Sequence, residues 1–132
     1  MITEDYVSPE TAKLLEEKGF DGDTSSCYIL EDSTHHIMSD KVVQNEYYES
    51  QDSNEHGHLI QAPTLQMVIK WLREIHNINI DIVSIWNKVR WEYQIIIITP
   101  KTAAKPYIHK TIYKKREQAW EVGIKYCLEN LI

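Results

Sequence analysis

Residues 80–98 alternate between apolar and polar side chains over a length that fits two strands and a turn, and this alternation most constrains the fold. Centring the turn on Asn87 and Lys88 predicts a β-hairpin. One face of that hairpin then carries Ile80, Ile82, Ser84 and Trp86 opposite Ile95, Tyr93, Trp91 and Val89. We expect this face to lie in the core, with an exposed aromatic anchor around Trp86 and Trp91 as the alternative. Because Lys88 adopts left-handed backbone poorly, a longer loop would shift the register by one or two residues.

Three helices are predicted from local signals. The first covers residues 9–18, with Ser8 as its N-cap and Gly19 as its stop. The central helix opens at Pro63 and ends at residues 76–77. Its apolar positions recur at helical spacing: Leu65, Val68, Ile69, Leu72 and Ile75. The last helix carries a similar stripe, formed by Ala119, Trp120, Ile124, Cys127, Leu128 and Leu131.

The remaining strands are short. Residues 27–30 form one strand, with residues 37–38 and 41–44 as candidate partners, and residues 107–113 add a further strand to the hairpin. Residues 46–58 are mostly polar, and we expect a mobile loop there. The resulting order, α-β-β-α-β-β-β-α, predicts an α+β fold. We expect a two-layer sandwich of a mainly antiparallel sheet and about three helices.

Charge is distributed unevenly along a chain of 132 residues that we expect to form a single domain, 1–132. Residues 1–62 hold 14 acidic and 3 basic side chains, whereas residues 63–132 hold 6 acidic and 11 basic ones. The net charge of −6 excludes a uniformly basic nucleic-acid-binding protein. We expect the two halves to neutralise each other within one fold, with a functional acidic or basic face as the alternative.

A basic stripe follows the hairpin. Its cations are Lys101, Lys105, Lys110, Lys114, Lys115 and Arg116, with Tyr107, His109 and Tyr113 between them. No acidic residue interrupts positions 101–116, so the stripe is suited to phosphate contact and base stacking. These six cations are the candidate binding residues, although the sequence favours the simpler interpretation that they project from a loop and a helix start into water.

No pattern in the chain predicts an enzyme. Cys27 and Cys127 have no C-x-x-C spacing and are expected to be reduced thiols. Four of the histidines occur as two pairs, at residues 35 and 36 and at residues 56 and 58, and their spacing matches no zinc motif. The four glycines form no phosphate-binding loop. We therefore predict no catalytic residue, no metal and no cofactor. A non-enzymatic protein is favoured over a small enzyme whose site is assembled only in three dimensions.

Three stretches carry a resemblance to known proteins. They are YVSPETAKLLEEKGF (6–20), APTLQMVIKWLREIHNI (62–78) and IKYCLENLI (124–132). Together they cover about a third of the chain and resemble small proteins of gut Bacteroides-type bacteria and their prophages. The resemblance implies a bacterial or phage-derived cytoplasmic protein, and it transfers no catalytic residue.

The start of the sequence is acidic and polar, unlike a secretory signal, and the longest unbroken apolar run, residues 95–98, is far too short to cross a membrane. We therefore expect a cytoplasmic protein without membrane contact. The leading hypothesis is an accessory protein that binds a protein partner. The alternatives are a nucleic-acid-associated protein that uses the basic stripe, which is less favoured, and a small enzyme. The sequence leaves the oligomeric state open.

Overall fold

The computed structural model of the protein describes residues 5–22, 26–30, 43–44, 58–101 and 107–132. Within these ranges the helices are α1 (Pro9–Glu17), α2 (Leu65–His76) and α3 (Arg116–Asn130). The strands are β1 (Ser26–Leu30), β2 (Val43–Gln44), β3 (His58–Gln61), β4 (Asn79–Trp86), β5 (Trp91–Ile98) and β6 (Tyr107–Tyr113). The chain separates into two compact units, residues 1–64 and 65–132. The expectation of a single domain stays a prediction.

Helix α1 begins and ends where local signals place it. The Ser8 side chain accepts a hydrogen bond from the Thr11 backbone N–H at 3.3 Å, which satisfies one of the N–H groups that a helix start leaves unpaired. Gly19 follows with a φ of +83°, a left-handed conformation that glycine adopts without steric penalty. The helix predicted over residues 9–18 is therefore confirmed, with Glu17 as its last residue.

The first unit also contains a three-stranded antiparallel sheet with the order β2-β1-β3. The strand predicted at residues 27–30 is β1, and β2, within the predicted partner 41–44, pairs with it. Strand β3 has no counterpart among the predicted strands, and His58 belongs to it rather than to the predicted loop. The other predicted partner, residues 37–38, and the rest of the loop prediction lie outside the described ranges.

A buried tyrosine holds the segment before α1 against β1. The Tyr28 hydroxyl donates a hydrogen bond to the backbone carbonyl of Val7 at 2.6 Å. The Val7 N–H donates in turn to the Pro63 carbonyl at 3.1 Å. All three residues are buried, so these bonds form in a region from which water is excluded.

The second unit is a two-layer structure. Its antiparallel sheet has the order β4-β5-β6, and α2 and α3 contact each other and the sheet. Helix α3 comes very close at Gly123, where a Cβ atom would lie 3.2 Å from Ile95 Cγ2 and 3.3 Å from Ile80 Cγ2. Glycine therefore permits the helix backbone to approach the sheet. The helices complete the core with fully buried side chains: Val68, Leu72, Ile124, Cys127 and Leu128.

The register of the β4–β5 hairpin differs from the prediction by two residues. Ile80 pairs with Ile97, and Trp86 pairs with Trp91, so residues 87–90 form a four-residue loop instead of a two-residue turn. Because side chains alternate with a period of two, this shift leaves each side chain that stays in a strand on its predicted face. Val89, predicted on the inward face, lies in the loop and is 82% accessible. The predicted inward face is therefore the face on which the helices pack.

The α+β class is confirmed, although the described strands belong to two antiparallel sheets rather than one. Two positions predicted in apolar stripes are exposed. Ile75, in the last turn of α2, is 62% accessible, and Leu131 follows the end of α3. Ile75 lies on the same side of α2 as the buried Val68, so this side of the helix is buried at Val68 and exposed in the last turn.

Candidate functional site

The loop at the end of the hairpin is held by the Asn87 side chain. Its Oδ1 accepts hydrogen bonds from the N–H groups of Val89 at 2.9 Å and Arg90 at 2.8 Å, and its Nδ2 donates to Glu92 Oε1. These bonds support a φ of +78° at Lys88, which is a left-handed conformation uncommon for lysine. The loop therefore holds the residues on either side of it in a defined geometry.

Trp86 and Trp91 flank this loop as the last pair of the hairpin. They are 55% and 52% accessible, and their ring centroids lie 5.4 Å apart at an interplanar angle of 56°. The prediction that both tryptophans belong to the core is therefore wrong. On the face of the sheet that carries the tryptophans, the Ile80–Ile97 pair is fully buried, whereas the Trp86–Trp91 pair is about half exposed. We attribute this difference to the length of the hairpin, whose end extends beyond the helices that pack on the sheet.

Aromatic side chains continue inward from the tryptophan pair. Tyr93 lies two residues from Trp91 on the same face of β5, and it pairs with Tyr113 of β6. Both tyrosines are partly exposed, and the Tyr113 hydroxyl lies 3.5 Å from His109 Nδ1. Trp86, Trp91, Tyr93 and Tyr113 therefore lie on one face of the sheet as two successive cross-strand pairs, which we call the aromatic strip.

Cationic side chains surround the outer end of the aromatic strip. Lys88 and Arg90 are exposed in the hairpin loop. Residues 114–116 are exposed where the chain passes from β6 into α3, at the same end of the sheet because β5 and β6 are antiparallel. Residues 86–92 and 113–118 together contain five basic and two acidic side chains. We call the aromatic strip and these five cations the hairpin end.

The fold divides the basic stripe predicted over residues 101–116. Lys101 is exposed just after β5, whereas residues 114–116 lie at the other end of the sheet, and an eight-residue strand such as β5 is roughly 25 Å long. Lys105 and the side chain of Lys110 lie outside the described part of the chain. The structure thus brings together the last three of the six candidate cations and separates Lys101 from them.

Sequence reasoning missed Lys88 and Arg90 as binding candidates. The prediction places Lys88 in the turn and Arg90 in the strand that follows it, and both lie within three residues of Trp86 or Trp91 in the sequence W-N-K-V-R-W. A cationic turn between two tryptophans was the available signal. It became informative only once the exposure of the two indole rings was known.

The opposite face of the same sheet has a different character. Val83, Ile108 and Ile112 are exposed on it, and Asp81 and Glu92 are the acidic groups of the same face. Among the described side chains, this face is therefore aliphatic and acidic, whereas the hairpin end is aromatic and basic.

A cleft of about 420 Å³ lies at the far end of the second unit and is formed by residues 76–78, 99–101 and 130–131. The Nε2 atom of His76 is buried there and has no hydrogen-bond partner among the described residues, and its ring meets that of Trp71 edge-on at 4.5 Å. The cleft offers polar groups to a small molecule without favouring one chemical class.

The groups considered for catalysis are poorly placed for it. Cys27 and Cys127 are both buried, and burial raises the pKa of the Cys127 thiol to about 12. Within the described ranges, no three His, Cys, Asp or Glu side chains lie close enough together to hold a metal ion. The histidines at residues 35, 36 and 56 lie outside those ranges.

Comparison with known proteins identifies no relative, since the chain matches no protein-family model, no curated protein and no solved structure. The resemblance to small proteins of Bacteroides-type bacteria and prophages stays a prediction. In the part of the chain that the structure describes, none of the helices has the length and apolar character needed to cross a bilayer.

Proposed function

We propose that this chain is a non-enzymatic binding protein of a bacterium or bacteriophage, that it acts in the cytoplasm, and that it binds a macromolecular partner through the hairpin end. The observation that carries the proposal is the exposure of Trp86 and Trp91. Both rings leave about half of their surface in contact with water beside a loop of defined geometry.

Exposure of this kind is unfavourable for the isolated protein. Burial of apolar surface contributes about 25 cal/mol per Å², so a partner that covers the exposed half of both rings removes an unfavourable contact with water. Tryptophan, tyrosine and arginine are also the residues most enriched among those that dominate binding energies. The hairpin end contains all three types, since it includes the aromatic strip and Arg90.

The sequence favours a protein partner because it shows no catalytic pattern and because its charges are segregated. With both tryptophans exposed next to five cations, a partner with negative charge is now favoured by charge complementarity. The buried thiols support a binding role over cysteine catalysis, because the thiolate is the reactive form and burial disfavours it at Cys127.

The proposal is tested by capture of the partner on immobilised protein. The parent chain, a Trp86→Thr/Trp91→Thr variant and an Ile75→Gln control are exposed to a lysate of a Bacteroides-type bacterium. The control removes another exposed apolar side chain, on α2. We expect at least one protein or nucleic acid to be retained by the parent and the control and lost with the tryptophan variant.

Threonine is chosen because it has a high strand propensity, and circular dichroism verifies that the variant folds. Equal retention by all three proteins would contradict a role for the hairpin end. So would the absence of any retained macromolecule.

A further inference from the structure

We infer that the hairpin end binds single-stranded nucleic acid, with bases stacked on the aromatic strip and phosphates paired with the surrounding lysines and arginines. This inference rests on the proposed function and names its partner. The hairpin end differs from the basic stripe predicted over residues 101–116 because it includes Lys88 and Arg90 and leaves out Lys101.

Base stacking is supported by the geometry of the two indoles. Trp86 and Trp91 are tilted by 56° with respect to each other, so neither ring fully covers the face of the other. About half of each side chain stays accessible. Tyr93 follows Trp91 on the same face at a distance of about 7 Å along the strand, which gives successive bases separate rings to stack on.

Phosphate contact is supported by the position of the cations around these rings. Lys88 and Arg90 lie on the loop side of the tryptophan pair, and residues 114–116 lie on the β6 side, so a strand that crosses the rings meets positive charge on both sides. Proteins that bind single strands without sequence preference combine these same two elements, a positive path for the backbone and aromatic rings for the bases.

The net charge of −6 does not prevent this binding. Residues 65–132 contain 6 acidic and 11 basic side chains, so the excess of acid lies in the other unit. Residues 65–132 therefore carry a net charge of +5, and five of their cations belong to the hairpin end.

The exposed rings favour a single strand over the other anionic partners. Bases in a duplex are already stacked on each other and are not free to stack on tryptophan, whereas every unpaired base has an open face. An acidic protein segment would pair with the lysines and arginines. Its carboxylates and peptide groups offer much less flat surface for stacking on four aromatic rings than a row of unpaired bases does.

Binding is measured by fluorescence anisotropy of labelled oligonucleotides added to the full chain. The probes are oligo(dT) and oligo(U) of about 12 nucleotides, which separate DNA from RNA binding, and a dT·dA duplex of the same length. Poly-glutamate serves as an anionic competitor without bases. We expect the single strands to bind more tightly than the duplex and poly-glutamate to compete weakly.

The tryptophans are tested with the Trp86→Thr/Trp91→Thr variant. Loss of a stacked base weakens binding by roughly 5- to 150-fold, so the affinity of the double variant should be lower than that of the parent chain by at least about 5-fold. The two rings also pack on each other and stabilise the hairpin. The cations therefore provide a second test that leaves the fold intact.

The cations are tested with a Lys88→Gln/Arg90→Gln variant at different salt concentrations. Each phosphate contact with a single strand contributes about −0.7 to the slope of log affinity against log salt concentration, so this variant should weaken the slope by about 1.4. Lys101→Gln is the matched control, because Lys101 is an exposed lysine at the other end of the sheet. Its slope should equal that of the parent chain.

Either of two results would overturn the inference. One is affinity for the single strands that does not change in the tryptophan variant, and the other is affinity for poly-glutamate equal to that for the oligonucleotides. If capture from the lysate depends on the tryptophans but survives nuclease treatment, and the oligonucleotides do not bind, the partner is a protein. The inference then fails while the proposed function stands.

Discussion

Replacing Gly123 by valine should separate α3 from its sheet and destabilise the second unit. A Cβ atom at this position would lie 3.2 Å from Ile95 Cγ2 and 3.3 Å from Ile80 Cγ2, which is closer than ordinary van der Waals contact. Valine adds two further methyl groups beyond that Cβ. Because Ile80 and Ile95 are themselves fully buried, neither can move aside without displacing its neighbours.

The magnitude follows from two opposing terms. Added methyl groups in a packed core typically cost about 1–3 kcal/mol of unfolding free energy. Valine recovers only about 0.3 kcal/mol, because it has a slightly higher helix propensity than glycine. We therefore expect Gly123→Val to lower the free energy of unfolding by about 1–3 kcal/mol.

A double-mutant cycle tests the cause of this loss. Ile95→Ala alone should cost about 2–5 kcal/mol, because it leaves a cavity under α3. In the double variant the valine methyl groups occupy part of that cavity. The combined loss should therefore be smaller than the sum of the two single losses by about 1–2 kcal/mol.

Urea unfolding followed by tryptophan fluorescence is a suitable assay, because all four tryptophans lie in residues 65–132. The signal therefore reports the unit that contains Gly123. A Gly123→Val variant as stable as the parent chain would refute the packing argument. Strict additivity with Ile95→Ala would show that the loss has another origin.

Two further predictions concern buried polar groups. Tyr28→Phe removes the hydroxyl that donates to the Val7 carbonyl, so it should lower the free energy of unfolding by about 1–2 kcal/mol. Thermal unfolding followed by circular dichroism measures this loss, and an unchanged melting temperature would argue against the bond. Burial raises the Cys127 pKa from 9.0 to about 12, so above pH 9 the unfolded chain binds fewer protons than the folded one and stability falls with pH. Between those two pKa values, the thiol lowers the free energy of unfolding by about 1.4 kcal/mol per pH unit. A Cys127→Ala variant should lack this loss when urea unfolding of the two proteins is compared from pH 8 to pH 11. Parallel pH profiles for the two proteins would contradict the raised pKa.

Local sequence patterns were sufficient to predict the features that depend on neighbouring residues. Ser8 and Gly19 mark the ends of α1 because capping and a left-handed stop act within one helical turn. The alternation from Ile80 onward determined which side chains of the hairpin share a face, and this assignment survived a register shift of two residues because the side-chain period is two. The α+β class followed from the same local patterns.

The burial of each side chain and the distances between residues far apart in the sequence depend on the tertiary structure. Trp86 lies on the face that also contains the buried Ile80, yet it is exposed, because its burial depends on how far the helices extend over the sheet. Lys101 and Lys114 belong to one stripe in the sequence but lie at opposite ends of β6, since an extended strand separates them. Burial and proximity arise from contacts between distant segments, and residue spacing alone does not encode how far one element covers another.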